Sequence, residues 1–165
     1  MLKPASTFHE YTLIFSGDPA LSLPDPEAEP NKAKQPAIAA ERERLLKHAR
    51  RTGDWQPICT GEPTVFHLVP LKGSEFDWFA GEVNRRNLVG PEMAALALRL
   101  AIKRIDNFGG HKVERAKVDG VALAKVETID AIYSVDPDDP GIGRAIVSEL
   151  GNHVIERATT KLDPL

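Results

Sequence analysis

The stretch "GPEMAALALRLAIKRIDNFGG", residues 90–110, is the longest apolar run in the chain, and the fold turns on how it is read. Gly90 and Pro91 set a helix start with Glu92 in its first turn, and Gly109 and Gly110 stop it. Between them Met93, Leu96, Ala97, Leu100, Ala101 and Ile105 share one side at helical spacing, and Leu98 and Ile102 widen the stripe. Arg99, Lys103 and Arg104 leave only a narrow polar edge. A helix that is apolar over most of its circumference is buried on several sides. The spacing therefore predicts one long central helix that organises the core.

Downstream, "HKVERAKVDGVAL" alternates polar residues with Val113 and Val118 and carries an Asp119-Gly120 turn, which predicts a small hairpin. "KVETIDAIY" reads as one or two helical turns, and "SVDPDDPGIG" as a loop. The closing amphipathic helix, "IGRAIVSELGNHVIERA", turns Ile146, Val147, Leu150, Val154 and Ala158 inward. Gly151 within it allows another backbone to come close.

Upstream, "SEFDWFAGEVNRR" predicts a short helix with Ser74 as its N-cap and Phe76, Phe79 and Val83 on its buried face. Trp78 falls off that stripe, which makes it either a partner-binding anchor or a partly buried ring. Before it, "TVFHLVPL" reads as an edge strand or a strand end, with Phe66 and Leu68 on one face and Val65, His67 and Val69 on the other. The segment "PAIAAERERLLKHARRTG" begins on Pro36 and stops at Gly53, as a helix does. Its last turns hold Arg44, Lys47, His48, Arg50 and Arg51. These cations either complement the helix dipole or present a basic end to an anionic surface.

"HEYTLIFSG" predicts a strand over about residues 9–16. The segment that follows it, residues 18–36, carries Pro24, Pro26, Pro30 and Pro36, too many prolines for a helix or an interior strand. It reads as a solvated loop or as an extended arm that orders along a partner. The expected architecture is a single small α+β domain, mainly helical, with two or three short strands. A strand and proline-rich arm occupy residues 1–36, and a mainly helical domain occupies residues 37–165.

At 165 residues, such a chain buries roughly two thirds of its unfolded surface without a staple. Its single cysteine, Cys59, forms no internal disulfide, which is compatible with a reducing compartment. No stretch resembles a signal peptide core or the run of about 20 apolar residues that a spanning helix needs, so the expectation is a soluble protein made and used inside a cell. The 21 basic and 24 acidic side chains give a formal charge of −3 and no general field for nucleic acid.

Chemical motifs fail on spacing. His9, His48, His67, His111 and His153 lie far apart, and none pairs with Cys59 as zinc ligands do. Glu149, His153 and Glu156 share a helix face, as a surface charge cluster does. An acidic loop from Asp136 matches a calcium loop at Asp138 and Gly141, but Val147 stands where the bidentate glutamate belongs. "GIGRAI" lacks the third glycine of a dinucleotide fingerprint and follows no strand. Nothing near Cys59 in sequence activates its thiol. The reading is of a non-enzymatic protein without a cofactor.

Four features of residues 63–165 carry a resemblance: "PTVFHLVPLKGSEFD", "ALALRLAIKRIDNFGG", "ETIDAI" and "IVSELGNHVIERATTKLDPL". With Glu149, Leu150, Gly151, Thr159 and Pro164 in the places of a closing motif, the chain resembles tail assembly chaperones of long-tailed bacteriophages. The resemblance implies a factor that binds the tape-measure protein and delivers tail-tube subunits around it in the host cytoplasm. On that reading the contact candidates are Trp78, the basic end at Arg44, Lys47, Arg50 and Arg51, and the arm with Pro24, Pro26 and Pro30. The alternative is a structural virion component, capsid-stabilising or in the neck, whose arm bridges subunits. A third is a regulator that binds a host protein. The expected partners are phage structural proteins, with homo-oligomerisation possible and neither a membrane nor specific nucleic acid involved.

Overall fold

The computed structural model describes residues 9–159. The 90–110 stretch is not one helix. It is a helix, α3 (Pro91–Ala101), that passes without a loop into a strand, β3 (Ile102–Asp106). The reason lies in β2 (Val65–Leu68), which pairs antiparallel with β3. Leu68 stands opposite Ile102 and His67 opposite Arg104, so Lys103 is an extra residue in a bulge. Ile102 and Ile105, three apart, would face opposite sides of a regular strand; the bulge turns both inward, and they are 0% and 6% exposed.

The carbonyls left open where α3 ends are taken by a distant side chain. The guanidinium of Arg115, in β4 (Arg115–Val118), donates to the carbonyls of Ile102 at 2.5 Å, Leu100 at 3.0 Å and Arg99 at 3.4 Å. It also reaches Ala122 O at 3.1 Å, in β5 (Val121–Ala124), and so ties the hairpin to the helix end. Burial holds the Arg115 pKa below its ordinary value, with Glu75 opposing. The hairpin turn itself is as expected, with Asp119 and Gly120 both at positive φ.

β1 (Tyr11–Ile14) pairs antiparallel with β2, giving a three-stranded sheet in the order β1-β2-β3. Leu13, Phe66 and Ile105 align across it on the buried face. The final helix, α5 (Pro140–Thr159), packs chiefly along α3 and also against α4 (Val126–Tyr133). Gly143 and Gly151 make these contacts possible. A Cβ on Gly151 would overlap the backbone of Ala94, and one on Gly143 would lie 2.5 Å from Ile132 O. The close approach expected at Gly151 is thus present. The result is a single small α+β domain.

α1 (Gln35–Thr52) ends at Gly53 in the left-handed conformation, its N–H bonded to Ala49 O. Only Leu46 and Ala49 of α1 are fully buried, as the charge-rich sequence implies. α2 (Gly73–Arg86) begins one residue before the expected Ser74 cap, with Lys72 as N-cap. The Glu75 carboxylate accepts from Lys72 N at 2.9 Å, which is half of a capping box. The proline segment does not trail free of the body: Leu21 bridges Cys59, Ser22 N donates to Ile58 O, and Thr60 N donates to Ala20 O. Arg42 of α1 holds it further by donating to Ser16 O and Pro24 O. Residues 1–8 and 160–165, with Pro164 of the closing motif, lie outside the described residues.

Gly151→Ala is expected to lower unfolding free energy by about 1–3 kcal/mol, toward the upper end because the obstructing atoms are backbone. Gly81→Ala has open space in the middle of α2 and is expected to gain roughly 0.5–1 kcal/mol. Urea denaturation of both variants checks the pair.

Candidate partner-binding surface

The arginines read as one basic end are divided by the fold. Arg44 makes two hydrogen bonds to Glu41 on the same face, at 2.8 and 2.6 Å, in the open. Arg50 turns toward the body, 3.6 Å from Glu149 of α5, and both side chains are mostly covered. Lys47, His48 and Arg51 remain exposed. Trp78 is partly buried and packs against the core. Pro24 and Pro26 are half-buried, and Pro30 is exposed.

Glu149 is the centre of a polar junction that spacing on its own helix did not reveal. Its carboxylate accepts from Ser16 N at 2.8 Å and from the Ser16 hydroxyl, beside the Arg50 contact. One side chain therefore joins the end of β1, the last turns of α1 and the middle of α5. His153, one turn along, lies in the same shallow cavity of about 180 Å³. Its ring is 6.4 Å from that of Tyr11, whose other neighbour is the Arg157 guanidinium at 3.9 Å from the ring centre. Burial, then the charge of Arg50, lowers the His153 pKa to about 4; Glu156 opposes and Arg157 adds. Burial likewise pushes the Tyr11 hydroxyl up to about 12, with Arg157 opposing.

On the outer face of the sheet, His67 Nε2 lies 2.7 Å from Asp106 and 3.2 Å from an Arg104 nitrogen. Arg104 can only donate, so Nε2 cannot serve both groups in one state; the shorter carboxylate contact is the hydrogen bond. The His67 hydrogen bond is the main cause of the lowered Asp106 pKa. The three side chains brace β2 to β3. Among the described residues, no group of three His, Cys, Asp or Glu side chains converges as metal ligands do.

Two further concavities differ in how their polar groups are used. A trough of about 510 Å³ lies between the proline segment and α1, floored by Asp18 and Arg42. Both are already bonded within the chain: Asp18 accepts from Ala20 N and Thr64 N, and Arg42 holds two carbonyls. The second is a groove of about 220 Å³ between α3 and α4. α3 contributes Glu92, Ala95, Leu96 and Arg99, and α4 contributes Val126, Ile129, Asp130 and Tyr133. Each set falls at i, i+3, i+4 and i+7, the spacing of a single helical face. Leu88 and Arg86 close one side.

One apolar lining residue of this groove is left in water: Val126 is 51% exposed. Within the groove Arg99 is partly covered and donates through Nε to Ala124 O at 2.8 Å. Burial first, then the charge of Arg86, lowers its pKa, with Glu127 opposing. Among the described residues no carboxylate lies within ion-pair distance of it.

No protein-family model matches the chain, and neither the curated proteins nor the solved structures include a significant match to it. Among the described residues no helix is long and apolar enough to cross a membrane.

His153 gives the surface a pH signature. Its folded pKa of about 4 lies below the unfolded value of roughly 6.5, so the unfolded chain takes up the proton first. Its contribution to stability is complete above about pH 6.5 and is lost as pH falls from there toward 4. His153→Gln is expected to flatten the loss of stability between neutral pH and pH 4.5, measured as the urea midpoint at each pH.

Proposed function

We propose that the protein is a non-enzymatic assembly factor of a tailed bacteriophage, a tail assembly chaperone that holds a segment of a tape-measure or tail-tube protein before the tail is built. The observation that supports it is the α3–α4 groove, an apolar cleft between two helices with Val126 half in water along its wall. Full burial of a Val or Leu side chain contributes roughly 1.5–3 kcal/mol, so a few such contacts give a complex that can form and be released. The groove is built from residues 86–133, inside the region that carries the resemblance to tail assembly chaperones. On this reading the protein acts in the host cytoplasm, without a cofactor, and leaves the finished particle.

Quantitative mass spectrometry of gradient-purified particles, together with co-purification from infected lysate, tests the proposal. The expected result is absence from particles and co-purification with the tape-measure or tail-tube protein. A fixed ratio to the major tail or capsid protein would overturn it in favour of a structural virion component.

A further inference from the structure

We infer that the α3–α4 groove selects a short amphipathic segment that carries a carboxylate beside its apolar anchors, and that Arg99 is the residue that reads the carboxylate. The inference rests on the binding role proposed above and adds the chemistry of the occupant. Its basis is the unequal state of the four charged groups that line the groove. Glu92 and Asp130 are exposed, and water already satisfies them. Arg86 is exposed and has Glu82 at 3.9 Å. Arg99 alone is partly covered, and its ordered bond is to a neutral carbonyl, Ala124 O. A carboxylate laid on a partly desolvated guanidinium gains more than an ammonium laid on a fully solvated carboxylate, because less water remains to compete. The neighbouring charge of Arg86 adds to the preference, and the smaller effect of Glu127 opposes it.

Position agrees with charge. Arg99 bonds Ala124, just ahead of α4, so the first turn of α4 lies at the Arg99 end of the groove. Glu92 is seven residues away on α3, about 10 Å along the helix at 1.5 Å per residue. Glu127, in the first turn of α4, acts on Arg99 from outside the groove lining, whereas the lining carboxylate Glu92 stands at the end away from Arg99. Between them Ala95, Leu96, Ile129 and Tyr133 form the apolar floor. A docked helix that sets two leucines on this floor places a residue one turn beyond them over Arg99.

The test uses two fluorescein-labelled amphipathic peptides with leucines at i and i+4, identical except for Glu or Gln one turn beyond. Each is titrated by anisotropy into the full chain, with backbone amide NMR shifts mapping the site. The expected result is about tenfold tighter binding of the Glu peptide, with shifts at Leu88, Ala95, Leu96 and Ile129. Arg99→Met keeps the alkyl stem and is expected to erase the Glu/Gln difference. Because Arg99 also supports Ala124, a second variant guards against a folding effect. Val126→Asp sits at the exposed first position of α4, where a carboxylate suits a helix start, and is expected to weaken the Glu peptide at least tenfold.

Equal affinity for the two peptides, shifts outside the groove, or unchanged Glu-peptide binding in both variants would overturn the inference. So would concentration-dependent line broadening of the free protein that Val126→Asp abolishes, since the groove would then belong to a second copy of the chain. Co-purification with Val126→Asp separates this inference from the proposed function. Tape-measure binding that survives this substitution removes the groove inference and leaves the chaperone role. Glu/Gln discrimination by a protein that binds no tail component does the reverse.

Discussion

The contact on which the rest of the structure depends is the approach of α5 to α3 at Gly151 and Ala94. There is no room for a Cβ on Gly151, so the two backbones are in direct van der Waals contact. Ala94, Ala97 and Ala101, each fully buried, keep α3 thin along its length. Because α3 sits this close to α5, Leu98 and Leu100 remain fully covered on a helix that has few polar residues to offer solvent. Larger residues at these places would push α5 outward and open the junction at which Glu149 meets Ser16 and Arg50.

Much of this was legible in the sequence, and the misreading at residues 102–106 is instructive. Glycine and proline punctuation located α1 between Pro36 and Gly53, and Asp119-Gly120 located the hairpin. Period-two alternation found β1 and β2. Ile102 and Ile105, however, are three residues apart, a spacing that fits a helix face and equally a strand with one bulged residue. Local sequence does not separate the two. The deciding information is held by β2 sixty-five to sixty-eight residues into the chain, which supplies the pairing, and by Arg115, which caps the helix end from the far side of a loop.

The candidate surface was less legible, for a related reason. Spacing identified charges on single helices, but it could not say which charge meets another element. Arg50 and Arg51 are adjacent in sequence; one is drawn inward by Glu149, nearly a hundred residues away, and the other is exposed. Trp78 departs from its own helix stripe yet still packs on the core, because a side chain of that size reaches past its neighbours. The groove was missed because each of its walls is an ordinary amphipathic face. Its character comes from the juxtaposition of α3 with α4.

That juxtaposition follows from lengths. α3 has 11 residues and α4 has 8, roughly 16 Å against 12 Å at 1.5 Å per residue. α5 takes one side of α3 and the hairpin strand β5 packs beside it, which leaves one flank of α3 to α4. α4 is pinned at its far end by Gly143 beneath Ile132 and Tyr133, so it follows α5 and cannot also close fully over α3. The cleft between them is the remainder of a packing arrangement set elsewhere. Arg99 lies in that cleft on the same stripe of α3 as Glu92, Ala95 and Leu96, held to the end of β5 by its bond to Ala124 and only partly covered. Tight helix contact on one side and incomplete cover on the other are thus two results of the same small residues. A core built with a bulkier residue at position 143 or 151 would alter the groove without touching any residue that lines it.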